Sequence, residues 1–126
     1  MDVNQINAIV LAYLGDAIFE LHIREFLINK KINKANDLQK EAVKYVSARA
    51  QALSLSNLIN KNILLEDEID IVKRARNAKC ISHPKSVDIL TYKHATAFEA
   101  LIGYLYILKR EDRLKLVIDE VIGDKI

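Results

Sequence analysis

A glycine and an aspartate interrupt an apolar helical stretch near the start of the chain, and they limit what this sequence can fold into. In Leu11 to Leu21, LAYLGDAIFEL, the apolar positions Leu11, Leu14, Ala17, Ile18 and Leu21 repeat at helical spacing. Gly15 and Asp16 sit in the middle. Gly costs about 1 kcal/mol relative to Ala inside a helix, so its presence there suggests that another backbone comes close. A second stretch, His94 to Leu105, HATAFEALIGYL, has Glu99 on an apolar helix and Gly103 four residues later. Two of the chain's three glycines thus flank these two acids. We expect two helices to cross closely and to bring Asp16 and Glu99 together.

The composition agrees with a folded, helical chain. Of the 126 residues 51% are hydrophobic, which excludes a disordered polymer. One proline and few β-branched alternations predict an all-α protein, folded as one domain over residues 1–126. The single Cys80 cannot form an internal disulfide and suits a reducing, cytoplasmic setting. The N-terminal MDVNQINAIV lacks a basic region and a long apolar run, so no secretory signal is expected. No run of about 18 apolar residues exists, so no membrane span is expected either.

Along the chain, Asn4 to Asn29 reads as one or two helices with Asn4 as a candidate cap. Lys30 to Lys34 is a connection. Asn36 or Asp37 can cap a helix whose apolar positions run through Leu38, Ala42, Tyr45 and Val46 to Ala50 and Leu53. A further turn or two spans Leu55 to Ile59, and Asn60 to Asn62 is turn-like. Glu66, Asp67 and Glu68 open a helix that Lys73, Arg74 and Arg76 close, each sign suiting its end of the dipole. Asn77 to Ser86 has no period and contains Pro84, so it reads as a loop. A long helix from about Val87 to Lys109 follows. The last, from about Arg113 to Ile122, carries Leu114, Val117, Ile118 and Val121 on one face.

Asp16 has two readings: a surface acid on an amphipathic helix, or a hard oxygen ligand for Mg²⁺, which takes one or two carboxylates plus water and phosphate. Glu99 has the same two, but its neighbours Phe98, Ala100, Leu101 and Ile102 are apolar, so it needs a partner or a metal. Tyr92, Thr96, Glu99 and Gly103 share one helical face. Charge is unevenly spread: residues 71–98 carry 6 basic and 1 acidic side chains. Within that segment Lys73, Arg74, Arg76, Lys79 and Lys85 are not interleaved with acids, which suits either a solvated loop or a phosphate-contacting patch. His83 and His94 have no nucleophile beside them in sequence and read as binding or structural residues. A lone cysteine argues against a cysteine zinc site.

Leu14-Gly15-Asp16-Ala17 followed by Phe19-Glu20-Leu21 resembles the signature helix of the ribonuclease III family. Ala97-Phe98-Glu99-Ala100-Leu101-Ile102-Gly103 resembles that family's second metal-binding helix. The likeness covers essentially the whole chain as one catalytic domain, a helical bundle, with no room for the double-stranded-RNA-binding domain of full-length enzymes. That absence, with LAYLGDAIFE, RNAK and TAFEALIGYL, looks like the Mini subfamily. The chain has Ala12 and Thr96 where the broader family has Glu and Asp, as the Mini pattern does.

The resemblance implies a Mg²⁺-dependent endoribonuclease on double-stranded RNA, with Asp16 and Glu99 as catalytic metal ligands and Gly15, Thr96 and Gly103 in support. It implies products with 5′-phosphate and 3′-hydroxyl ends, a role in maturing the 23S ribosomal RNA precursor, and a homodimer built on the signature helix. The apolar face around Leu11, Leu14 and Ile18 suits that interface. Arg74, Arg76, Lys79 and Lys85 would contact RNA phosphates. The rival is a non-catalytic RNA-binding scaffold of the same fold on the ribosome, which Ala12 and Thr96 favour and the retained Asp16 and Glu99 oppose. A helical protein-interaction domain would leave the clustered bases unexplained.

Overall fold

A computed structural model describes residues 2–79 and 83–123, and all regular structure among them is helical. A short 3-10 turn, Val3–Gln5, leads into α1 (Ala8–Asn29), α2 (Ala35–Val46), α3 (Ala48–Asn60), α4 (Glu66–Arg76), α5 (Ile89–Ile107) and α6 (Glu111–Gly123). None of these helices is long and apolar enough to cross a membrane.

The bundle is wound around α5. From Ala95 to Leu105 every residue of this helix except Glu99 is buried. A helix apolar on all sides has no stable place except the interior, and α5 lies against α1, α3, α4 and α6. The amphipathic helices turn one face to it, as α6 does with Leu114, Val117, Ile118 and Val121. On α1 the face turned inward differs from the expected one. Ala8, Leu11, Ala12, Gly15, Phe19, Ile23 and Leu27 are buried, whereas Ala17 and Leu21 are exposed. The glycine decides this rotation, because only its side of α1 can approach α5 closely.

Helix boundaries follow local chemistry. The side chain of Asn7, not Asn4, accepts the Ile9 amide and starts α1. α2 begins at Ala35, ahead of both expected caps, Asn36 and Asp37, with Lys34 as N-cap and no side-chain cap bond. Ser47 ends α2 and caps α3 through the Ala50 amide, so the apolar run that looked continuous is broken at a serine. α3 then runs unbroken to Asn60. Asp88 caps α5 by accepting the Thr91 amide and hydroxyl.

With two glycines committed to the helix crossing, α1, α3 and α5 turn off through left-handed residues that are not glycine: Lys31, Asn62 and Lys109. After α5 the Lys109 amide bonds the Tyr106 carbonyl and the Arg110 amide bonds Leu105, which satisfies the last carbonyls of the buried helix. Fully buried Glu68 on α4 is held by Arg113 of α6 at 2.6 and 2.8 Å, and also accepts the Leu65 amide. That arrangement locks both helices against α5 without an unpaired interior charge.

Candidate metal centre

Gly15 and Gly103 face each other where α1 and α5 cross. A Cβ on Gly15 would stand 1.7 Å from the Glu99 carbonyl oxygen, and a Cβ on Gly103 would stand 2.0 Å from the Leu11 carbonyl oxygen. Neither helix tolerates a side chain there, because the obstructing atoms are backbone. One turn away Phe19 and Phe98 stack edge to face, 5.0 Å between ring centroids and 83° between planes, which fixes the rotation of the two helices.

This packing brings Asp16 and Glu99 together. Burial pushes the Glu99 carboxyl up to about 9, and the hydrogen bond and negative charge of neighbouring Asp16 push in the same direction; the amide of Gln51 opposes them. These causes favour the protonated form of Glu99 at neutral pH. Two carboxyls in one partly buried place cannot both ionise cheaply. A divalent cation would reverse the penalty, since it favours the form that burial and Asp16 disfavour.

Among the described residues no group of three or more His, Cys, Asp or Glu side chains is placed to hold a metal. The donor set is two carboxylates. Ala12 is buried against the core one turn before Asp16, and it offers no donor. Thr96 is buried one turn before Glu99, and its hydroxyl donates to the Tyr92 carbonyl at 2.9 Å within its own helix. Tyr92 on the same face of α5 lies beside His83, 6.1 Å between ring centroids.

Gln51 was not singled out in the sequence. It is 2% exposed on α3, and its Nε2, though beside the Glu99 carboxyl, completes no hydrogen bond of ordinary geometry among the described residues. A buried donor left unpaired costs about 1–3 kcal/mol. The other buried polar side chains are all accounted for: Ser54 donates to the Ala50 carbonyl, Thr96 to Tyr92, and Glu68 accepts from Arg113. The signal in the sequence was available, since Gln51 shares a helical face with the buried Ser54, Leu55 and Leu58.

The basic residues lie at the end of α4 and in the loop after it. Arg74 is exposed and donates to the Ile6 carbonyl, tying down the segment before α1. Arg76 is half-buried in the last turn of α4, and Lys79 and Lys85 are exposed. No ion pair among the described residues joins Arg76, Lys79 or Lys85 to an acid. Cys80 lies outside the described residues.

The model of the ribonuclease III domain matches residues 9–110 of the chain. The chain is 49% identical over 119 residues to the Mini-ribonuclease 3 of Brevibacillus brevis, covering 94% of this chain and 87% of that protein. It is 40% identical over 117 residues to the Mini-ribonuclease 3 of Staphylococcus aureus, covering 93% and 87%. A crystal structure of a Fusobacterium nucleatum protein superposes with a TM-score of 0.86 at 38% identity, covering 99% of this chain and 98% of that one. The chain belongs to the ribonuclease III family of endoribonucleases, and within it to the Mini-ribonuclease 3 group.

Proposed function

We propose that the chain is a Mg²⁺-dependent endoribonuclease that hydrolyses phosphodiester bonds of double-stranded RNA, acting as a cytoplasmic homodimer on the 23S ribosomal RNA precursor. The observation that carries this reading is the Asp16–Glu99 pair, brought together at a glycine crossing where burial and the neighbouring Asp16 push the Glu99 carboxyl up. Two oxygen donors on rigid helices fit Mg²⁺, which takes one or two carboxylates and leaves its other positions to water and phosphate. When bound, that ion supplies Lewis-acid stabilisation of the phosphodiester and acidifies water.

The chain's own part is positional and electrostatic. Glu99 would give up its proton if the ion were bound, and α1 and α5 keep the two carboxyls in place. Arg76, Lys79 and Lys85 offer cations to the phosphate backbone, which suits A-form RNA, a duplex recognised by shape and backbone more than by base edges. We read residues 1–126 as one catalytic domain whose own cations contact the duplex.

The homodimer reading rests on α1, though on different residues from those expected. Leu11 belongs to the core, and Leu14 and Ile18 are half-buried. The outward face instead carries exposed Val10, Tyr13, Ala17, Leu21 and Ile28, with Tyr13 84% exposed. An apolar stripe of this kind marks an interaction surface.

Asp16→Asn and Glu99→Gln test the reading. Each is expected to abolish Mg²⁺-dependent cleavage of duplex RNA while the fold and RNA binding persist. A variant that cleaves at near wild-type rate would remove that residue from the site. Wild-type protein that binds duplex RNA without cutting it at any Mg²⁺ concentration would favour the scaffold reading that Ala12 and Thr96 suggest.

A further inference from the structure

We propose that Gln51 is a positioning residue for the metal centre: its buried side-chain amide donates to the ionised Glu99 carboxylate and fixes that carboxylate's orientation toward the cation. The assignment rests on the Mg²⁺ reading above and adds a third helix to the site. Gln51 projects from α3, which packs directly on α5. It is the only residue among the described ones with a buried side-chain nitrogen or oxygen that lacks a partner. Its side-chain amide lies beside the Glu99 carboxyl of α5. A fully buried amide nitrogen that completes no hydrogen bond in the bundle, beside the carboxyl proposed to hold the cation, belongs to the site and not to the packing of the helices.

A structural glutamine and a positioning glutamine predict opposite signs. Replacing Gln51 by Met removes the unpaired donor and keeps the length of the side chain. We expect Gln51→Met to melt at the wild-type temperature or above it. Its Mg²⁺ dissociation constant, measured by titration calorimetry on the RNA-free protein, should rise about tenfold, the low end of what outer-shell changes cost a metal site. In cleavage, the Mg²⁺ concentration for half-maximal rate should rise by the same factor, with the KM for duplex RNA unchanged. Gln51→Leu provides a second apolar variant should Met pack poorly. Lower melting temperature with unchanged Mg²⁺ affinity in both variants would overturn the proposal and make Gln51 a core residue. Unchanged values throughout would also overturn it. Wild-type protein that binds no Mg²⁺ would overturn the metal reading itself, a result separate from loss of the difference between Gln51 and its variants.

Discussion

Adding one methyl group at Gly15 tests whether the helix crossing builds the site. In Gly15→Ala the new Cβ would lie 1.7 Å from the Glu99 carbonyl oxygen, 2.7 Å from its carbon and 2.9 Å from the Gly103 amide nitrogen. All three are backbone atoms of a buried helix, so α1 and α5 must part by roughly 1.7 Å to reach an ordinary contact of about 3.4 Å. Helix propensity favours Ala by about 1 kcal/mol. Against this, overpacking a core typically costs about 1–3 kcal/mol. The gap also weakens dispersion along the whole crossing, where a separation of about 1 Å already forfeits up to half of each contact. The fully buried Leu11, Phe19, Phe98 and Ile102 all lie along it. We expect a net loss of about 3 kcal/mol, a large share of a typical 5–15 kcal/mol stability. For a chain of this size that corresponds to a fall in melting temperature of about 10 °C. Thermal unfolding by circular dichroism measures it. Because the displaced carbonyl belongs to Glu99, Mg²⁺ affinity should fall in whatever protein remains folded. Gly123→Ala is the control: nothing lies within 4 Å of its Cβ, and it should leave the melting temperature unchanged or slightly raised. A Gly15→Ala protein that melts within about 2 °C of wild type and binds Mg²⁺ normally would refute the reasoning.

Three further outcomes follow from the same structure. With the Glu99 carboxyl pushed up to about 9 by the fold, against 4.5 for an ordinary glutamate, its protonated form carries a stability that is whole below 4.5 and lost as pH rises through 9; metal-free wild type should lose melting temperature over that range more steeply than Glu99→Gln, and parallel curves would contradict this. Replacing Arg74, Arg76, Lys79 and Lys85 together by Ala should weaken duplex binding and flatten its salt dependence by up to roughly 0.9 in log–log slope per lost phosphate contact, with the smallest share from Arg74, already engaged with Ile6; equal affinities and slopes would mean the loop is merely solvated. Tyr13→Glu on the outward face of α1 should shift the protein toward monomer in light scattering without lowering its melting temperature as core substitutions do, and monomeric wild type at micromolar concentration would remove the dimer reading.

Much of the candidate site was legible because its signals are costly. A glycine inside an apolar helix and an acid inside another are both unfavourable unless something compensates, so Gly15, Asp16, Glu99 and Gly103 stood out from the sequence. The all-helical fold and the inward face of α6 were equally plain from periodicity. The rotation of α1 was not. Leu, Ile and Ala occur on both of its sides, and periodicity cannot distinguish a core stripe from an outward apolar one. The close approach at Gly15 settles it, and that depends on a partner helix eighty residues away. The break between α2 and α3 was missed because Ser47 lies inside an apolar run that continues in phase. Gln51 was missed for a related reason: a lone glutamine among alanines looks like a solvent-facing residue until α3 is packed on α5.

On the Mg²⁺ reading, burial and Asp16 favour a proton on Glu99 that a divalent cation would displace. Titration calorimetry of Mg²⁺ into the protein at pH 7, repeated in buffers of different ionisation enthalpy, counts the protons released on binding. With Glu99 near 9 before loading and ionised after it, close to one proton should leave per site in the wild type, and no such release should occur in Glu99→Gln. Mg²⁺ binding to wild type without proton release, or with the same release in Glu99→Gln, would contradict the account.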